Sequence, residues 1–303
     1  MGDGTAVPKG TAPGARQPEQ DARARREAEE QERLDRRLGS IRHKIIVLSG
    51  KGGVGKSSVA ANLAITLAQQ GKSVGLLDID IHGPSVPRLL GLEGSQVRGT
   101  EDTIIPVATA AGVKVMSIGF LLRTGDDAVI WRGPLKYNVI KQFLRDVEWG
   151  DLDYLIIDSP PGTGDEPLSV AQLIADADGT VIVTTPQALA ISDVRKSISF
   201  ARQLQLPVLG VIENMSGFVC PECGASVDVF GTGGGEEMAG DMGVPFLGRI
   251  PIDPGIVGAG DAGELGSYLE SDSPGAKAFA DAARKLVAPI DATETAGTAG
   301  KGR

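Results

Sequence analysis

The chain has 303 residues, 41% of them hydrophobic and 23% charged, and a net charge of −9, which suffices for a sizeable core in one large domain or two small ones. The acidic balance argues against nucleic acid as a partner, because neutralising phosphates needs a basic surface. The first twenty residues carry Pro8, Pro13, Pro18 and charges where a secretory signal has an apolar segment, and no apolar run approaches the roughly 18 residues of a membrane span; the expectation is a cytoplasmic protein with no membrane partner.

In chain order, residues 1 to 18 are rich in Gly, Ala and Pro and read as disordered. Residues 19 to 38 alternate in charge, with Asp21/Arg25, Glu29/Arg33 and Glu32/Arg36 four apart, which predicts a solvated helix. Its apolar face (Leu34, Leu38, Ile41) is thin, so residues 1–40 are expected to form a disordered or weakly helical extension. Short β-branched runs follow at Lys44–Ser49, Ser73–Asp78, Val113–Ile118, Tyr154–Asp158, Thr180–Thr184, Val208–Ile212 and Phe246–Gly248. Several are apolar nearly throughout, the pattern of strands buried on both faces of a parallel sheet. Helical stretches intervene at about 55–70, 134–147, 166–175, 187–204, 234–241 and 273–287. The alternation predicts a three-layer α/β fold, a mostly parallel sheet with helices on both faces. Residues 41–288 read as one domain, and 289–303 as a disordered tail.

The run Lys44–Ser49 enters Gly50-Lys51-Gly52-Gly53-Val54-Gly55-Lys56-Ser57-Ser58 and then a helix carrying Ala60, Leu63, Ala64 and Leu67. This is G-x-x-x-x-G-K-[ST] in its strand–loop–helix setting. Glycines there let successive backbone N–H groups turn toward phosphate oxygens, and the helix N-terminus adds partial positive charge. Lys56 is placed to reach the β- and γ-phosphates of ATP, and Ser57 to offer its hydroxyl to Mg²⁺. A Gly-rich turn that only caps a helix is the plain alternative, and it accounts for neither the lysine nor the spacing. Lys51 is either a solvated loop charge or a cation beside the transferred phosphoryl group. The strand Tyr154–Ile157 ends in Asp158, a position suited to Mg²⁺; Asp78-Ile79-Asp80 closes another apolar run and could orient water or metal, or simply form a turn.

Cys220 and Cys223 are the only cysteines. Their spacing lets both sulfurs face one metal, yet a tetrahedral zinc or a cubane cluster takes about four ligands. Two pairs related by a twofold axis would supply four thiolates, so the stoichiometry points to a homodimer. A shared structural zinc fits the same ligands, a thioredoxin-like pair would want a helix directly after the motif, and inert buried thiols are the bland reading.

Lys51–Ser57 resembles the deviant P-loop of the dimeric ATPases that include MinD, the ParA partition proteins and the nitrogenase iron protein. Further segments resemble the Mrp/ApbC-type iron–sulfur cluster carriers: Asp78-Ile79-Asp80-Ile81-His82-Gly83-Pro84-Ser85-Val86-Pro87, Trp131-Arg132-Gly133-Pro134, Asp158-Ser159-Pro160-Pro161-Gly162-Thr163-Gly164-Asp165, Thr184-Thr185-Pro186-Gln187, Glu213-Asn214-Met215-Ser216, Cys220-Pro221-Glu222-Cys223-Gly224 and Gly248-Arg249-Ile250-Pro251. The resemblance spans about residues 38–288. It implies that Lys51 crosses a homodimer to the partner's nucleotide, that Asp80 positions the attacking water and that Asp158 completes the Mg²⁺ shell. It implies that Asn214 reads adenine, with Pro251 near the base. His82 stands where a tyrosine is frequent and reads as structural. The function it implies is an ATP-hydrolysing carrier of a bridging [4Fe–4S] cluster that serves apoprotein clients; a positioning or partition ATPase and a zinc- and nucleotide-binding scaffold are the rivals.

Overall fold

The computed structural model describes residues 16–81, 83–100, 102–121, 133–220 and 222–299. The disorder expected of residues 1–15, the structural role expected of His82, and the matched positions Trp131, Arg132 and Pro221 lie outside the described residues.

Eight strands form the main sheet: β1 (Ile41–Ser49), β2 (Val74–Asp78), β3 (Val107–Ala108), β4 (Lys114–Ser117), β5 (Leu152–Asp158), β6 (Gly179–Thr184), β7 (Val208–Glu213) and β8 (Phe246–Arg249). Their spatial order is β8-β7-β6-β1-β5-β2-β4-β3. Every neighbouring pair is parallel except β3 with β4. All seven strands read from the sequence are present; β3, with two residues, is too short to show a period.

The pleat sorts the apolar side chains into two cores. Ile45, Val47, Leu76, Ile156, Val181 and Val183 face one layer, packed with Val59, Leu63 and Leu67 of helix Lys56–Gln69 and Phe279 and Leu286 of helix Pro274–Ala299. Ile46, Leu48, Leu77, Leu155, Ile157 and Ile182 face the other, packed with Ile140 and Phe143 of helix Gly133–Asp146 and Val194 and Ile198 of helix Ala188–Gln203. Successive strand residues point to opposite faces, so strands apolar throughout require helices on both. This is the three-layer arrangement the sequence predicts.

Two terminal segments depart from their sequence reading. Helix Arg16–Gly39 docks on the sheet's second face: Leu34 and Leu38 are buried in that core. Charged contacts align it on helix Gly133–Asp146: Arg33 Nη2 lies 3.1 Å from Asp146 Oδ1, and Glu30 Oε2 lies 3.2 Å from Lys141 Nζ and 3.0 Å from Arg145 Nη1. The two leucines are buried against that core, and these ion pairs hold the helix to its neighbour. At the other end, the last helix continues past residue 288; Ile290 is buried and Tyr154 donates its hydroxyl to Asp291 Oδ1 at 3.2 Å. Among the described residues no helix is long and apolar enough to cross a membrane.

Candidate functional site

The candidate site lies at the carboxyl end of the sheet, where β1, β2 and β5 deliver Ser49, Asp78 and Asp158 side by side; Asp78 and Asp158 are register partners. β5 is inserted between β1 and β2, so the loop Gly50–Gly55 opens beside an acidic wall, as ligand crevices do in parallel sheets. Gly55 precedes helix Lys56–Gln69 with φ +81°, in the left-handed region, and a Cβ there would meet Asn214 Nδ2 at 2.3 Å. Only glycine fits. A Cβ on Gly50 would meet the Asp193 backbone at 2.5 Å, which brings helix Ala188–Gln203 against the loop. No side chain caps helix Lys56–Gln69, leaving its first N–H groups to an anion.

Lys56 is buried, with Nζ 2.5 Å from Asp158 Oδ1, 3.3 Å from Ser57 Oγ and 3.7 Å from Asp80 Oδ2. The Lys56 ammonium thus gathers the serine and both carboxylates assigned from the sequence. The second Asp158 oxygen, Oδ2, is buried and accepts no hydrogen bond. A buried carboxylate oxygen without a donor is costly, and beside Ser57 Oγ it has the chemistry of a hard-cation ligand. The residues present therefore fit Mg²⁺. Asp78 is fully buried; it accepts from Ser117 Oγ at 2.8 Å and from the Asp80 N–H at 3.0 Å. Burial, and then the neighbouring Asp158, pushes its carboxyl up to about 7. Burial raises Asp158 as well, with Lys56 pulling the other way. Packing two carboxyls in register at one lysine favours one proton between them.

Lys51 lies in the loop mouth, half-buried, its carbonyl accepting from Ser49 Oγ at 3.0 Å. Asn214 follows β7 and donates Nδ2 to the Val54 carbonyl at 2.9 Å, so the residue assigned to the base sits against the phosphate loop. Pro251 lies two residues beyond β8, beside the hydrogen bonds from Ser216 N to Ile250 O and from Ile252 N to Gly217 O. Sequence reasoning assigned no role to Ser117 or Asp193. Ser117 ends a recognised strand at the same sheet edge, which was the available signal; Asp193 lies on a helix face with none.

Cys220 and Cys223 occupy the tip of a small antiparallel hairpin, Phe218–Val219 with Ser226–Val227. The turn closes through Cys220 N to Ala225 O and Gly224 N to Cys220 O, both 2.9 Å. Cys220 is half-buried and Cys223 exposed. The backbone N–H groups of Cys223 and Glu222 point at the Cys220 sulfur and lower its pKa, which favours the thiolate that metals bind. Among the described residues no third His, Cys, Asp or Glu completes a metal site with the pair.

Known proteins resemble the chain over most of its length. An iron–sulfur cluster carrier protein of Methanocaldococcus jannaschii is 53% identical over 236 residues, 78% of this chain and 81% of that one. A cytosolic Fe–S cluster assembly factor NUBP2 homolog of Nematostella vectensis is 54% identical over 241 residues, 78% and 89% of the two chains. Among solved structures, a nucleotide-binding protein of Archaeoglobus fulgidus in complex with ADP superposes with a TM-score of 0.71 at 46% identity, covering 80% of this chain and 94% of that one. The MinD cell division protein of Aquifex aeolicus superposes with a TM-score of 0.59 at 25% identity, covering 81% and 96%. Residues 40–287 match the family described as ParA: NUBPL iron-transfer P-loop NTPase, and the chain belongs to that family.

Proposed function

We propose that the chain is an ATP-hydrolysing carrier that holds a [4Fe–4S] cluster between two copies of itself and passes it to apoprotein clients. The exposed hairpin with only two thiols is the observation that carries this reading: half a ligand set per chain calls for a second chain. Val219 and Val227 on the hairpin strands are exposed, as are Val229 and Phe230 just after them in sequence, which supplies apolar surface suited to burial against a second copy. Lys56 binds the β- and γ-phosphates, and Lys51 reaches the partner's nucleotide. Asp80 orients the attacking water. Mg²⁺, held by Ser57 Oγ and Asp158, would supply charge neutralisation at the phosphate oxygens. Loops after Asp80 and Asp158 relax once the γ-phosphate leaves, which supplies a switch. The reading places the work in the cytoplasm, in keeping with the cytosolic assembly factors named among the relatives.

Anaerobic reconstitution followed by iron and sulfide analysis tests it, with an apo-enzyme as acceptor. About four irons per dimer are expected. Cys220→Ser or Cys223→Ser should each abolish the cluster and leave nucleotide binding in place. Stoichiometric zinc without iron uptake would make the hairpin a structural zinc knuckle and the protein a scaffold. The likeness to MinD favours a positioning ATPase as the second reading, but that reading leaves the thiol pair without a role.

A further inference from the structure

The excursion that carries Cys220 and Cys223 leaves the sheet at the end of β7 and returns at helix Gly234–Asp241. Both of its ends converge on one carboxylate. Glu213, the last residue of β7, is 0% exposed. At the departing end, Ser216 donates its hydroxyl to Glu213 Oε1 at 2.5 Å. At the returning end, Gly233 donates its N–H to the same oxygen at 2.8 Å, and Gly235 donates its N–H to Oε2. Arg249, the register partner of Glu213 on β8, places Nε 3.7 Å from Oε1. A Cβ on Gly235 would lie 2.8 Å from Oε2, so only glycine lets that N–H approach.

A fully buried carboxylate is costly unless donors surround it, and an apolar residue would close this strand end more cheaply. What the carboxylate adds is direction: its hydrogen bonds exist in one arrangement of the two ends and are lost in others. The next residue, Asn214, donates to the Val54 carbonyl of the phosphate loop at 2.9 Å. Consecutive residues therefore hold the nucleotide loop and the root of the thiol hairpin.

We propose that Glu213 is the positioning residue through which the nucleotide site sets the placement of the cysteine hairpin. Nucleotide at the phosphate loop moves Val54 and Asn214, and Glu213 carries that displacement to Ser216 on one side of the hairpin and Gly233 on the other. The inference rests on the reading of residues 50–57 as the nucleotide site and of the thiol pair as the metal site.

The test is the rate at which the full-length, metal-free protein reacts with a maleimide at Cys220 and Cys223, with and without a saturating non-hydrolysable ATP analogue. In the wild type the nucleotide is expected to change that rate about fivefold or more. In Glu213→Gln, which keeps the shape and removes the charge, the ratio should fall to within about twofold of unity. Ser216→Ala cuts one arm, keeps the carboxylate and should give an intermediate ratio, so it decides the matter if Glu213→Gln fails to fold. Ser216→Thr restores the hydroxyl and should restore the ratio. A merely structural role would raise reactivity equally in both states; a wild-type ratio in Glu213→Gln or in Ser216→Ala, or a wild type insensitive to bound nucleotide, overturns the inference. Calorimetry that finds no nucleotide binding in the wild type would overturn the function reading itself, and the inference with it.

Discussion

Lys56 faces Asp158 and is assigned to phosphate when nucleotide binds, so its loss has two separable consequences. Lys56→Ala should weaken Mg–ATP binding by about 10- to 100-fold, the worth of a charge-assisted contact of about 1.5–3 kcal/mol, as calorimetry would read. It also strands a buried carboxylate, so its melting temperature should fall most at about pH 8 and recover in acid, where Asp158 takes up a proton. Equal losses at both pH values would mean that Asp158 is not ionised beside the lysine. Asp78 has the opposite sign. Its folded value of about 7 lies above the unfolded 3.8, so the native state holds this proton more tightly. That stabilisation is complete below about pH 4 and is lost as pH rises through about 7. Asp78→Asn is neutral, still accepts from the Asp80 N–H and can donate to Ser117 Oγ. It should melt a few degrees above the wild type, roughly the effect of 1 kcal/mol, at about pH 8, with the gap closing in acid. A pH-independent gap would assign the effect to packing.

Helix Arg16–Gly39 shows how an element with weak local signals can be held by its surroundings. Its sequence is charged on nearly every face, yet Leu34 is 1% exposed. Leu34→Ala should cost about 2–4 kcal/mol, seen in denaturant unfolding, and should expose the arginine-rich helix to trypsin. An unchanged midpoint and cleavage pattern would mean that the helix is not docked in solution. Because its ion pairs end on helix Gly133–Asp146, and Lys136 of that helix pairs with Glu166 just beyond the loop that follows Asp158, loosening the N-terminal helix should also reach the acidic wall.

For the assembled molecule, the proposed dimer links hydrolysis to association. Lys51→Ala and Asp80→Ala should each keep Mg–ATP binding and lose hydrolysis about a hundredfold or more, the scale of a missing transition-state cation or water-orienting group. Full turnover in either variant removes that residue from the mechanism. ATP can favour a closed dimer only if it binds that form better than the open one. Light scattering should therefore show the doubled mass with a non-hydrolysable ATP analogue and less of it with ADP, and Lys51→Ala should abolish the difference. Equal masses with both nucleotides would break the link between nucleotide and dimer.

The phosphate loop, Asp158 at a strand end and the seven longer strands were legible in the sequence because each rests on local chain geometry. Glycine spacing, continuous apolar runs and a period of 3.6 survive in any window of about ten residues. The rest is non-local. The insertion of β5 between β1 and β2, which puts Asp78 beside Asp158 and both near Lys56, is a matter of strand order, and no window contains it. The short β3 and the cysteine hairpin carry too few residues for a period; Leu34 and Leu38 count as core only once helix Gly133–Asp146 supplies the other wall. Glu213 was visible only as one acidic residue in a recognised segment. Its role depends on donors three and twenty or more residues downstream meeting at one carboxylate, an arrangement that exists only when the sheet edge and the helix behind it close around the buried charge.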